Sequence, residues 1–184
     1  MQSVPEKNRM YLEYFSETAE FRRNTDMKSA YAYSLRDDVV YYNDTRPAFR
    51  RYKFDKAITH ELAHRADCLL IHAEESDEFR KAIQEGAKSI ATLPIKEVFK
   101  EILDDEDTMA LQDVFSALYG RYHPDLSCGH SKKYYSKSHT KEREIFANMF
   151  TLETSNRRDL IEIIQKHFPS LYAAYLKLFE EVII

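Results

Sequence analysis

Apolar residues recur along this chain at two spacings, and the switch between them divides it into elements. Over residues 5–23, Met10, Tyr11, Tyr14, Phe15 and Phe21 sit between charges at helical intervals, with Pro5 in a first turn where its missing N–H costs nothing. An aromatic stripe at that spacing packs against a core. Two short runs follow, Ala30-Tyr-Ala-Tyr-Ser34 and Val39-Val-Tyr-Tyr42, rich in aromatic and β-branched residues. Leu35-Arg-Asp-Asp38 separates them, so they read as a β-hairpin. Asn43-Asp-Thr-Arg-Pro47 is a turn cluster, and Arg50, Arg51 and Lys53 form a small basic run that reads as solvated surface.

The helical period then returns and persists to the end. Ile58, Leu62, Ala66, Leu69 and Leu70 fall on one side of a helix over 57–67 and its continuation. Beyond His72, Ser76 or Asp77 caps one helix, Pro94 opens a second, and Gly120 closes a third over 109–119. Their apolar faces come from Ile90, Leu93, Val98, Ile102, Val114 and Leu118. The acidic run at 104–107 reads as a solvated connection able to hold a cation weakly. Residues 121–141 lack a period and collect Gly, His, Ser, Lys and Tyr, a long irregular stretch of the kind that carries function. Helices over 141–154, 157–167 with Asn156 as cap, and 169–184 complete the chain. Leu160, Ile161, Ile164, Leu171, Tyr175, Leu176 and Phe179 are their core positions. The fold class is α+β: a small sheet including the hairpin over 30–42, then a mainly helical second half.

The polar side of the 57–67 helix carries His60-Glu61-Leu-Ala-His64, the pattern H-E-x-x-H. At about 100° per residue His64 lies roughly 40° from His60, so both imidazoles leave one face and can share one metal ion. Glu61, beside the first histidine, is placed to take a proton from a metal-bound water and pass it to a leaving amine. This is a zinc hydrolase signature. The bland alternative is two ordinary helix histidines; with 7 His and 18 Glu in 184 residues, about 0.025 such matches arise by chance. Asp67 falls roughly 20° to the other side of His60 and reads as a group that orients a ligand imidazole from behind.

Composition narrows the setting. A chain of 184 residues is one domain, able to bury its own core. With 13 Tyr, 11 Phe, no Trp and 3 Gly, the core is aromatic and loops are few. A net charge of -4 and a pI near 6.0 give no global attraction to nucleic acid or an anionic membrane. No apolar run approaches the ~20 residues of a membrane span, and the polar start does not resemble a signal peptide, so the expectation is a soluble cytoplasmic protein. Cys68 and Cys128 are expected as free thiols.

A catalytic zinc takes three protein ligands and keeps a position for water. Glu144, Asp67, His130 and His139 are candidates for the third. Glu144 is favoured because Ala147, one turn on, lets its helix approach the His60 helix closely; the alternative is an exposed helix glutamate.

Taken together, Val39-Val-Tyr-Tyr-Asn43, Thr59-His-Glu-Leu-Ala-His-Arg-Ala-Asp67, Gly129-His-Ser-Lys-Lys-Tyr-Tyr135, Glu144-Ile-Phe-Ala-Asn148 and Phe168-Pro-Ser-Leu-Tyr172 resemble the zincin-type, gluzincin-like metallopeptidase domains attached to phage minor head (head morphogenesis) proteins. More distantly they resemble the anthrax lethal factor class of toxin proteases. The resemblance implies one zinc per chain on His60, His64 and Glu144, Glu61 as catalytic base, and an assisting tyrosine at Tyr134 or Tyr135. The expected activity is peptide hydrolysis, with Tyr134, Tyr135 or His130 stabilising the oxyanion and extended substrate lying along Val39–Tyr42 as an edge strand. The expected partners are a peptide or protein substrate and phage structural proteins, in a host cytoplasm or on a virion. Two rivals share the fold: a phage head-associated binding module whose zinc serves stability alone, and a toxin effector protease.

Overall fold

The computed structural model describes residues 4–51, 54–100, 108–155 and 157–180. Lys53, Ile102, the acidic run at 104–107, the Asn156 cap and the end of the last helix at Ile184 lie outside them. The chain is α+β, with a three-stranded sheet and a mainly helical remainder.

Helix α1 (Val4–Glu17) ends before the expected boundary, and the chain turns into a strand, β1 (Glu20–Arg23). Thr18 closes the helix, its N–H and hydroxyl both donating to the Tyr14 carbonyl. Phe21, read as helical core, stands exposed on β1. The hairpin forms as expected from β2 (Tyr31–Ser34) and β3 (Val39–Tyr42), paired antiparallel with Tyr31 opposite Tyr42. Asp38 takes a left-handed φ of 50° in its turn. Because β1 pairs in parallel with β3, the strand order is β1-β3-β2 and β3 lies in the middle. Val39 and Val40 are accordingly buried. The expectation of substrate along 39–42 as an edge strand is therefore corrected: a central strand has both edges taken, and the outer edges belong to β1 and β2.

After α2 (Pro47–Arg51), helix α3 (Phe54–Ala66) carries the H-E-x-x-H residues and passes directly into a π-helical turn, Asp67–Ile71. A π turn holds more residues than an α turn, so side chains past Ala66 lose the phase of the α-helical wheel. Leu62 and Ala66 bury as expected, but Leu69 comes out 43% exposed. The same phase loss moves Asp67: its Oδ1 accepts the Ala73 N–H at 2.7 Å, and no bond from it to a histidine ring exists among the described residues. Asp67 closes the turn instead of orienting an imidazole.

Past a 3-10 turn (Ala73–Glu75), Ser76 caps α4 (Asp77–Ile90) by accepting the Phe79 N–H. The chain continues through α5 (Ile95–Val98) after Pro94 and α6 (Met109–Tyr119), which stops at Gly120 with φ 77°. The stretch read as irregular contains a short helix, α7 (Lys132–Tyr135), before α8 (Thr140–Thr154), α9 (Arg158–His167) and α10 (Pro169–Lys177). Every residue of α8 from Glu144 to Glu153 is buried. It runs through the middle of the molecule with α3 and α6 packed along it, and Phe146 meets Tyr175 and Phe179 of the C-terminal segment.

One buried cation ties the sheet to this bundle. The Arg65 guanidinium forks onto Asp38 at 2.7 and 2.8 Å and donates to the Phe15 carbonyl and the Thr18 hydroxyl. Replacing Arg65 with Met strands those acceptors, and we expect a loss of about 2–3 kcal/mol in urea unfolding. Asp38→Asn, on a half-exposed partner, costs less than about 1 kcal/mol.

Candidate metal centre

Two neighbouring elements and a loop build the site. Helix α3 supplies His60 and His64 from successive turns, and their Nε2 atoms lie 3.1 Å apart. Helix α8 supplies Glu144, whose carboxylate oxygens lie 3.5 Å from the His60 Nε2 and 3.6 Å from the His64 Nε2. The exposed-glutamate alternative is thereby excluded, since Glu144 is 4% exposed. These three residues can present one donor atom each within 4.8 Å of one another. Tetrahedral zinc with arms of 2.0–2.1 Å separates its ligands by about 3.3–3.4 Å, so the triangle has the size and the donor chemistry to close around that ion.

The loop before α8 is held by α6. The Gln112 carbonyl oxygen accepts the Ser127 N–H and hydroxyl, and the Ser116 hydroxyl donates to the Cys128 carbonyl. Gly129 has φ 131°, and a Cβ there would stand 2.5 Å from Ser116 Oγ, so only glycine permits this approach. The next residue, His130, stacks on the Tyr134 ring at 4.1 Å between centroids, with its Nε2 3.9 Å from Glu144. Ser131 caps α7 through the Tyr134 N–H, and the Tyr134 hydroxyl donates to Glu144 Oε1 at 2.6 Å.

Among the sequence candidates, the structure brings together His60, Glu61, His64, His130, Tyr134 and Glu144 around one cleft of about 480 Å³. Tyr135 is buried behind His130, its ring edge-on to the imidazole and its hydroxyl without a partner among the described residues. His139 sits exposed at the start of α8 with a left-handed φ of 59°, apart from the ligand group. His123 accepts the Asp125 N–H in a local turn.

No family model, curated protein or solved structure matches the chain. The site is therefore read from its own chemistry.

Burial opposes a charged ring at His60, but the adjacent Glu144 carboxylate outweighs it and raises the pKa to about 9. Burial pushes His64 down to about 4, helped by the charge on His60. Charge on one imidazole disfavours charge on the other, with Glu144 favouring it on His60, and the Glu144 carboxyl stays well below its usual range despite burial because of the histidines and the Tyr134 hydroxyl. A 2+ ion and this proton would compete for the same donors. Glu61 shows the opposite shift, since burial raises it and only the His60 charge and the Tyr33 N–H moderate the rise.

Two participants escaped the sequence. The Tyr33 backbone N–H, on the free edge of β2, donates to Glu61 Oε2 at 2.7 Å, a bond no residue type announces. Asp113, on α6, lies beside His60 with Oδ1 buried and unpartnered among the described residues. The signal available for it was a carboxylate among the apolar residues of Leu111-Gln-Asp-Val-Phe115.

Two outcomes follow. Glu144→Ala should weaken zinc binding by more than about 100-fold, beyond the loss of an outer group, while Glu142→Ala leaves it unchanged, as measured by competition with a chromogenic chelator. In metal-free protein the raised His60 contributes stability that is full below its unfolded pKa near 6.5 and is lost as pH climbs through about 9. The urea midpoint should thus fall over pH 6.5–9, and Glu144→Gln should flatten that limb.

Proposed function

We propose that this chain is a zinc-dependent peptidase with a zincin-like fold, working in the cytoplasm. The observation that supports this reading best is the His60, His64 and Glu144 triangle with Glu61 held beside it by an edge strand. A zinc ion bound there supplies Lewis acidity toward a carbonyl and a water acidified toward neutral pH.

The protein's own groups do the rest. Glu61 is buried and its pKa is raised, which brings a carboxylate closer to the operating range of a general base. One of its oxygens is fixed by the Tyr33 N–H, leaving the other to accept the proton of the attacking water and deliver it to the departing amine. The Tyr134 hydroxyl is held protonated by burial and by Glu144; its one proton goes to Glu144 Oε1, and were that carboxylate taken up by a cation the hydroxyl would be free to turn to an oxyanion. His130 stacks on the Tyr134 ring and fixes its plane. An extended substrate finds its partner on β2: the Tyr33 N–H points away from β3, and the ladder alternation turns the polar groups of Tyr31 to the same open edge. Ser29, Tyr31, Ala32 and Leu35 line the cleft along that edge.

The test is hydrolysis of an unfolded protein such as reduced casein by zinc-loaded enzyme. Chelation should abolish it and added zinc should restore it. Glu61→Gln should retain fold and zinc while kcat falls by about 10²–10⁴-fold, and Tyr134→Phe should lower kcat by about 10²-fold with little change in KM. Full turnover in Glu61→Gln would overturn the assignment of the base.

A further inference from the structure

Beside the cleft lies a second cavity of about 280 Å³, and the two share Ser29, Tyr31, His60, Glu61 and His130. The part that belongs to the second cavity alone has small apolar walls, Ala48, Ala57 and Ala110 with Met109, alongside the polar Lys56, Asn148 and Thr151, and Asp113 stands among them. Building on the peptidase reading, we infer that this cavity is a specificity pocket for a basic side chain, lysine or arginine, next to the bond that is cut, and that Asp113 receives its cationic end.

Three observations carry this. The first is the Asp113 carboxylate, whose Oδ1 is buried yet lacks a hydrogen-bond partner among the described residues. A buried carboxylate oxygen in that condition costs about 1–3 kcal/mol or more until a donor arrives. The second is lining: the alanines and the methionine offer apolar surface to the methylene stem of a long side chain, with Asp113 in the same wall for its charge. The third is position. Glu144 lines only the cleft with the histidines, whereas Asp113 lines only the second cavity, so it is a carboxylate that the metal triangle does not use. Lys56 lines the same cavity and makes no hydrogen bond to Oδ1. The pocket opens beside His60 and Glu61, which places the basic residue immediately next to the scissile bond.

The test has a turnover arm and a binding arm. Cut sites in an unfolded protein, mapped by mass spectrometry, should show lysine or arginine enriched on one side of the bond. In matched peptides, lysine should be preferred over its uncharged isostere norleucine by at least tenfold in kcat/KM, mostly through KM. Asp113→Asn should collapse that ratio toward one. Ala110→Leu, which fills the cavity with Asp113 intact, should lower the rate on the lysine peptide more than that on a glycine peptide, so the conclusion does not hang on one variant's folding. In the binding arm, zinc-loaded Glu61→Gln protein is titrated with n-butylammonium and with n-butanol, following methyl shifts by NMR. The amine should bind at least tenfold more tightly than the alcohol, and Asp113→Asn should erase the difference. Cleavage without basic preference, together with no amine selectivity, overturns the pocket and leaves the peptidase reading standing. Amine binding that depends on Asp113 in a protein that cuts nothing supports the pocket and overturns the peptidase reading.

Discussion

A carboxylate in the middle of a helical core has to be matched by donors or cations, and the matching of Glu144 organises this protein. The residue sits on a helix buried on all sides, where an unpaired charge would cost several kcal/mol. His60 and His64 from α3 and Tyr134 from the preceding loop converge on it. With Glu144 itself on α8, satisfying one charge draws three segments of the chain together. The same groups that meet the electrostatic demand are the ones with metal-ligating and proton-donating chemistry.

Helix α3 works on the sheet from both ends of one turn. Glu61 accepts the Tyr33 N–H from the open edge of β2, and Arg65, four residues later, forks onto Asp38 in the hairpin turn. Residues four apart share a helix face, so a single turn of α3 fixes where the edge strand lies relative to the histidines beside it. The buried Arg65 network thus also sets the geometry of the site, because a shift of the hairpin would carry the open edge of β2, and its bond to Glu61, with it.

What was legible in the sequence was local. The histidine spacing, the Ser76 cap, the Gly120 stop and the hairpin all rest on interactions within a few residues, and each is present. Glu-Phe-Arg-Arg at 20–23 has no alternation to announce a strand, and it becomes one only because β3 offers a parallel edge. The π turn was hidden because the bond that accompanies it, Asp67 accepting the Ala73 N–H, needs the chain to have already turned back. Tyr134 and Tyr135 are adjacent in sequence and part company only when α7 docks, one hydroxyl reaching Glu144 and the other ring sinking behind His130. The burial of Glu144 was half visible, in the apolar residues that follow it from Ile145 to Leu152.

The central position of α8 also has a consequence for how the molecule is made. Its partners α1, α3 and α6 all precede it in the chain, so during synthesis they leave the ribosome with the sides that will cover α8 still bare. At about 5–20 residues per second the stretch from His60 to Glu144 takes on the order of 5–15 seconds to emerge. For that interval the sides of α1, α3 and α6 that pack on α8 lack their cover, and His60 and His64 lack their carboxylate. The last of these four helices to be made is thus the one on which the other three depend for cover.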